Sequence, residues 1–254
     1  MKAGQFEGLG KDYALSPSHA QGRTLGLVLE RAAPRSSDLC LDVGTGTGHL
    51  ALALAPRVRA AVGADPAAGM LAEGVRMASE RGILNVVWVR AEAERLPFAD
   101  ASFDLVASRT AAHHFRDLGA ACREWARVLK PGGRCVVTDL QGYEDPDLQA
   151  FVHGIEVLHD PSHVRTLSLP EWRALLSAAG LEGIRVEGGF VETEEGMSLA
   201  DWCRRSRTPQ QDQAEIRRRM LDAPPAWRDF LGVREEGADL RFQIWKLVAS
   251  AVRR

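Results

Sequence analysis

The chain has 254 residues, 45% hydrophobic and 26% charged, which is enough apolar content for a full core and too much for a disordered segment. Its 32 basic residues against 34 acidic ones leave a formal charge of −2, so no basic field points to nucleic acid. No apolar run approaches the ~18–20 residues of a membrane helix. Met1 to Tyr13 lacks a signal-peptide core, and the cysteines at 40, 122, 135 and 203 have neither metal nor disulfide spacing. The reading is a soluble cytoplasmic protein that binds no membrane.

Ser16-Pro17 has the form of a helix cap, and Leu25, Val28, Leu29 and Ala32 share one face of the helix that follows. Leu39 to Val43 reads as a buried strand ending at glycines, and Leu50 to Ala55 as a helix. Arg59–Asp65 and Asn85–Arg90 are strand-like, with a helix over Pro66–Arg81 between them. A strand at Phe103–Ser108 precedes a helix carrying Leu118, Ala121, Trp125, Val128 and Leu129, which Pro131-Gly132-Gly133 ends. Cys135–Leu140 is the next strand. Strands alternating with helices imply a parallel sheet covered on both faces, with ligands at the edge where the strands end. Beyond Gln141 the pattern changes. Asp147–Asp160 is an amphipathic helix, Ser168 to Glu171 a capping box, Ile184–Val191 a strand, and helices start at Ser198 and Thr208-Pro209. Leu240–Val248 reads as the last strand.

The chemistry concentrates at Asp42-Val43-Gly44-Thr45-Gly46-Thr47-Gly48, a strand-to-helix turn. Glycines at alternate positions let a ligand lie against the backbone, and the helix start offers free N–H groups. Asp65, 19 residues beyond Gly46, ends the second strand, where an acceptor-only carboxylate suits a ribose diol or caps the next helix. Such a pairing serves a nicotinamide dinucleotide or S-adenosylmethionine. The spacing G-x-G-x-G, not G-x-G-x-x-G, favours the second.

On these residues the sequence resembles the class I S-adenosylmethionine-dependent methyltransferases. LDVGTGTGHLALALA is similar to the family's first motif, VGADPAAGML to its second, RAEAERLPFADASFDLVASRTAAHHF to its third and fourth strands, and LKPGGRCVVTDL to its fifth. The subgroup it most resembles is the bacterial small-molecule enzymes related to the ubiquinone and menaquinone C-methyltransferases. The resemblance implies a Rossmann-like doubly wound α/β sheet of order 3-2-1-4-5-7-6 with the last strand antiparallel. It also implies a cofactor-binding core over 37–140, an N-terminal lid and helix over 1–36 in which Tyr13, Ser16 and His19 precede the first helix, and covers over 141–168 and 192–236. Gly44, Gly46 and Gly48 would form the cofactor turn, with the first two against the methionine part and Asp42 favouring its ammonium. Asp65 would hold the ribose, with Pro66 and Met70 flanking the adenine. Glu92 stands where the family usually has Asp, Ala93 would offer a backbone N–H to the ring, and Arg109 would meet the ammonium through its carbonyl.

A sulfonium is already activated, so the protein must chiefly align the acceptor, and a base is needed only if the acceptor sheds a proton. Candidate bases are His113, His114, Asp139, His153, His159 and His163. His113 and His114 lie at the ligand edge. His159 falls in the stripe of Leu148, Val152 and Ile155, as a lining residue or a satisfied core histidine, while His153 points elsewhere, toward solvent. Phe151, Trp202, Met220, Trp227 and Phe230 suggest an apolar or aromatic small-molecule acceptor, unless they are the cover's own core. The alternatives are a nicotinamide-dependent oxidoreductase, which does not explain the LPF and LKPGG segments, and a non-catalytic module that binds S-adenosylmethionine. A nucleic-acid enzyme fits worse, because Ser108-Arg109-Thr110-Ala111 replaces the Asn/Asp-Pro-Pro-aromatic motif of amino-directed members.

Overall fold

The apolar runs of the first half form five parallel strands: β1 (Leu39–Val43), β2 (Ala60–Asp65), β3 (Val86–Arg90), β4 (Phe103–Arg109) and β5 (Leu129–Leu140). The structure is a computed structural model that describes residues 8, 10–14 and 22–254. Ser16-Pro17 and His19 lie outside the described residues. The main sheet is completed by β6 (Leu181–Phe190) and β10 (Lys246–Arg253), and β10 runs antiparallel to both neighbours. Its order is β3-β2-β1-β4-β5-β10-β6, the expected 3-2-1-4-5-7-6 once the strands of this sheet alone are counted.

Helices cover both faces because β1, β2 and β4 are buried nearly throughout and read as continuous apolar runs. On one face α5 (Leu118–Val128) and α7 (Leu169–Ala178) bury Trp125, Trp172 and Leu176 against Leu41, Val106 and Leu247. On the other, α2 (Arg23–Ala32) and α3 (His49–Leu54) bury Val28 and Leu54 against Cys40 and Leu105. Each such side chain contributes about 1.5–3 kcal/mol. α4 (Ala68–Glu80) follows β2, and α1 (Gly10–Ala14) packs against it. The Ser168–Glu171 capping box opens α7 as expected.

A second core lies outside the sheet. Ile155 from α6 (Pro146–His159) meets Trp202 from α8 (Leu199–Arg205), Ile216 and Met220 from α9 (Gln210–Asp222), and Leu240 and Phe242. α10 (Pro225–Phe230) follows, beside a small sheet of β7 (Met197–Ser198), β8 (Arg234–Glu236) and β9 (Asp239–Phe242) that the sequence reading missed. The expected single strand Leu240–Val248 is therefore two. Its first half serves the small sheet and its second half the main one, because the apolar run passes from one core to the other. Between them Gln243 donates to the Leu231 carbonyl at 2.7 Å, and the Trp245 indole donates to the Phe230 carbonyl at 3.1 Å. The helix expected to end at Pro131-Gly132-Gly133 stops at Val128, and the Pro-Gly-Gly segment forms an irregularity within β5. No helix among the described residues is long and apolar enough to cross a membrane.

Candidate active site

The turn after β1 is tied to β2 by two bonds to one carbonyl: Gly44 and Thr45 donate to Ala64 at 2.9 and 3.0 Å. Gly44 adopts φ +69, and a Cβ there would lie 2.5 Å from the Ala111 Cβ, so only glycine fits. At Gly46 an added Cβ would meet nothing within 4 Å, because the residue borders a cavity. Asp65 accepts from the Gly46 and Ala67 N–H groups, both at 2.9 Å, one on each carboxylate oxygen. Burial raises its pKa, and those two N–H groups oppose the rise. Asp42 receives the Thr45 hydroxyl at 2.6 Å and the Ala51 N–H at 3.1 Å on Oδ2, while its Oδ1 has no partner among the described residues. Burial pushes the Asp42 carboxyl up to about 7. Asp42, Gly44, Gly46, Asp65, Met70 and Arg109 all line this cavity.

A second cavity adjoins the first, and Tyr13, Arg109, Thr110 and His114 border both. His113, on the turn after β4, meets the end of β5 there. Its ring Nδ1 lies 2.5 Å from Asp139 Oδ1, and its backbone N–H donates to Asp139 Oδ2 at 2.8 Å. Burial alone would depress His113, but the Asp139 charge and hydrogen bond, with Glu156 and Asp160 beyond, hold it above the ordinary imidazole value. Asp139, despite its burial, is held low by His113 and Lys246. His113 Nε2 has no hydrogen bond among the described residues. His114 takes the opposite course, since burial and the neighbouring His113 press it down to about 3 and it pairs with the Ser162 hydroxyl at 2.9 Å.

A family model described as a methyltransferase domain matches residues 41–137. An uncharacterized methyltransferase, YcgJ of Bacillus subtilis, is 36% identical over 237 residues, 92% of each chain. The chain is a class I S-adenosylmethionine-dependent methyltransferase. The crystal structure of YcgJ superposes with a TM-score of 0.84 at 35% identity, covering 91% of this chain and 98% of that one. The demethylmenaquinone methyltransferase of Thermus thermophilus is 45% identical over 119 residues, 46% of this chain and 52% of that protein.

The cofactor of this methyltransferase fits the first cavity. Gly46 leaves space beside the backbone, both Asp65 oxygens keep lone pairs beyond their one bond each, and Asp42 Oδ1 lacks a partner among the described residues. Four residues expected at the cofactor are absent from the described lining. Gly48 serves packing, since a Cβ there would sit 2.2 Å from the Trp88 ring. Pro66 is buried, with its carbonyl taken by the Arg90 Nε at 3.0 Å. Glu92 is exposed and its backbone pairs with that of Arg95, whose N–H donates to the Glu92 carbonyl at 3.1 Å, and Ala93 belongs to the main core. Arg109 was expected to act through its carbonyl, yet its guanidinium is buried between the cavities, with Nε on the Thr24 hydroxyl at 3.1 Å and Nη2 3.8 Å from Glu192. Sequence reading missed His49, which lines the cofactor cavity with Nε2 donating to the Tyr13 carbonyl at 3.2 Å, and the Lys246–Glu192 pair at 3.2 Å.

Among the histidines, His159 has both ring nitrogens engaged, by Ser206 at 2.9 Å and Thr208 at 3.2 Å, and stacks on Trp202 at 3.5 Å. Burial lowers it to about 3, so it is a neutral, satisfied histidine. His153 is not solvated but half-buried, 5.2 Å from the His163 ring, and the His163 nitrogens have no hydrogen-bond partner among the described residues. Of the residues offered for an apolar acceptor, only Trp202 borders the polar cavity. Phe151 and Met220 belong to the second core, Trp227 packs on Phe151, and Phe230 is half-exposed.

Proposed function

We propose that this methyltransferase methylates a small-molecule acceptor seated in the polar cavity, at an atom whose proton passes to His113. One observation carries the reading: the cavity at the glycine turn adjoins a second cavity, lined by a histidine that a buried carboxylate orients and whose Nε2 has no hydrogen bond among the described residues. When bound, S-adenosylmethionine supplies a methyl group already activated on a sulfonium. In this reading Gly44 and Gly46 lie along its methionine part, Asp42 Oδ1 receives its ammonium, Asp65 holds its ribose hydroxyls, and Met70 packs at its adenine end. The Arg109 guanidinium, at the boundary, suits its carboxylate.

The chain's own contribution is position and proton transfer. Asp139 fixes the His113 tautomer with the proton on Nδ1, leaving Nε2 as acceptor, and stabilises the imidazolium that forms. His114 and His159 line the cavity as neutral hydrogen-bonded walls. Segments 141–168 and 192–236 form the cover that excludes water, with Tyr13 closing from the N-terminal side. A pocket with an oriented base favours an enzyme over a non-catalytic binding module, and nothing in the site or the relatives favours a nicotinamide cofactor. A chain of this charge, with a cavity of this kind, takes a small molecule and not a nucleic acid or a membrane.

The test is transfer of tritiated methyl from S-adenosylmethionine into a small-molecule extract. Wild type should label a discrete product. Asp65→Ala should lose labelling through cofactor affinity, and His113→Gln through turnover. Labelling of protein or nucleic acid alone would overturn the small-molecule reading.

A further inference from the structure

Glu156 stands apart from the other carboxylates of the acceptor cavity. It lies on α6, nine-tenths buried at 7% exposure, and borders the polar cavity. The other two carboxylates that line it are engaged: Asp160 receives the Ser162 N–H and hydroxyl at 2.8 and 2.7 Å, and Glu192 receives Lys246 at 3.2 Å and the Thr24 hydroxyl at 2.5 Å. Asp139, behind the lining, holds His113. Glu156 has no side-chain hydrogen bond or ion pair among the described residues, and the residue borders the cavity. An unpaired buried carboxyl costs stability, and its presence asks for a partner from outside the chain.

Its position says which part of the acceptor that partner is. Tyr13, Arg109, Thr110 and His114 mark the end of the polar cavity nearest the cofactor, and Glu156 is not among the cofactor cavity's lining. Instead Glu156 borders a third, mainly apolar space with Tyr143, Val152 and Met220. Resting on the methyltransferase reading above, we propose that Glu156 is a specificity-determining residue that binds a hydroxyl of the acceptor other than the group being methylated.

A hydroxyl suits the site better than an ammonium, because Arg109, Arg205 and Lys246 already bring positive charge to the same cavity. It also both donates and accepts, so it serves either protonation state of a carboxyl. That matters here, because burial pushes Glu156 up to about 7, with Asp160 and Asp139 adding to the rise and His113 and Lys246 opposing it.

The experiment is calorimetric titration of the full chain, saturated with S-adenosylhomocysteine, using catechol, resorcinol and hydroquinone, each matched against phenol. The proteins are wild type, Glu156→Gln and Glu156→Leu. In wild type at least one diol should bind tenfold or more tightly than phenol. Glu156→Gln should keep part of that preference and Glu156→Leu should lose it. Glu156→Leu should also melt higher, by about 2–4 °C for each kcal/mol of relieved burial, whereas a merely structural glutamate would melt lower on removal. Equal binding of diols and phenol by wild type, or a preference unchanged in Glu156→Leu, would overturn the proposal while leaving the methyltransferase site standing. Failure of wild type to bind S-adenosylhomocysteine would overturn both.

Discussion

Replacing Asp65 by alanine separates cofactor binding from folding. Each Asp65 oxygen spends one bond on a backbone N–H, Gly46 and Ala67 at 2.9 Å, and keeps capacity for a ribose hydroxyl. Two charge-assisted bonds at about 1.5–3 kcal/mol each amount to about 3–6 kcal/mol of cofactor affinity, or two to four orders of magnitude in Kd. The folding cost is smaller, because the freed Gly46 N–H borders the cofactor cavity and only the buried Ala67 N–H is left without a partner. About 1–2 kcal/mol is expected there, in the range of a lost helix cap, or a fall of several degrees in Tm. Calorimetry with S-adenosylhomocysteine reads the first quantity and thermal melting the second. A folded Asp65→Ala protein with Kd within threefold of wild type would refute the assignment of Asp65 to the ribose.

Other perturbations follow from the same geometry. His113→Gln and Asp139→Asn should each lower kcat by about 10²–10⁴ with little change in cofactor Kd, measured by methyl transfer once a labelled product is in hand. An undiminished kcat in both would remove the base from the mechanism. Gly48→Ala should destabilise the fold by about 2–5 kcal/mol, from a left-handed φ and collision with Trp88, read as a drop in the urea midpoint. Cofactor binding near neutral pH should release protons. Asp42, raised to about 7 when the site is free, becomes a lower-pKa carboxylate beside an ammonium. The release should fall away above that pKa, as binding strengthens, and vanish in Asp42→Asn. Calorimetry in buffers of different ionisation enthalpy measures it, and uptake instead of release would contradict the sign.

Those parts of the molecule governed by local sequence were legible before the structure. β1, β2 and β4 are buried nearly throughout and so read as unbroken apolar runs, and the Gly44–Gly48 turn and the Ser168–Glu171 box carry their own chemistry. What escaped reading depends on tertiary context. Leu240 and Val248 sit in one hydrophobic run but serve two cores, and no local signal marks the break at Gln243. His113 and Asp139 were each visible as candidates, yet their pairing exists because β4 and β5 lie side by side. Lys246, Glu192 and Thr24 meet from the ends of three distant segments, and none stands out alone. Composition cannot tell a lining from a core: of the cover's large apolar residues, Trp202 borders the cavity beside many polar side chains, Met220 borders the adjoining apolar space, and Phe151 packs within the cover's own core.

In the proposed reaction the cofactor bound at the glycine turn delivers its methyl group into the cavity of the His113–Asp139 pair. A crystal structure of the complex with S-adenosylhomocysteine tests this most directly. The expected result places the ribose on Asp65 and the sulfur at the boundary marked by Tyr13, Arg109, Thr110 and His114, facing His113. A sulfur directed away from that cavity, or a ligand seated elsewhere, would contradict it.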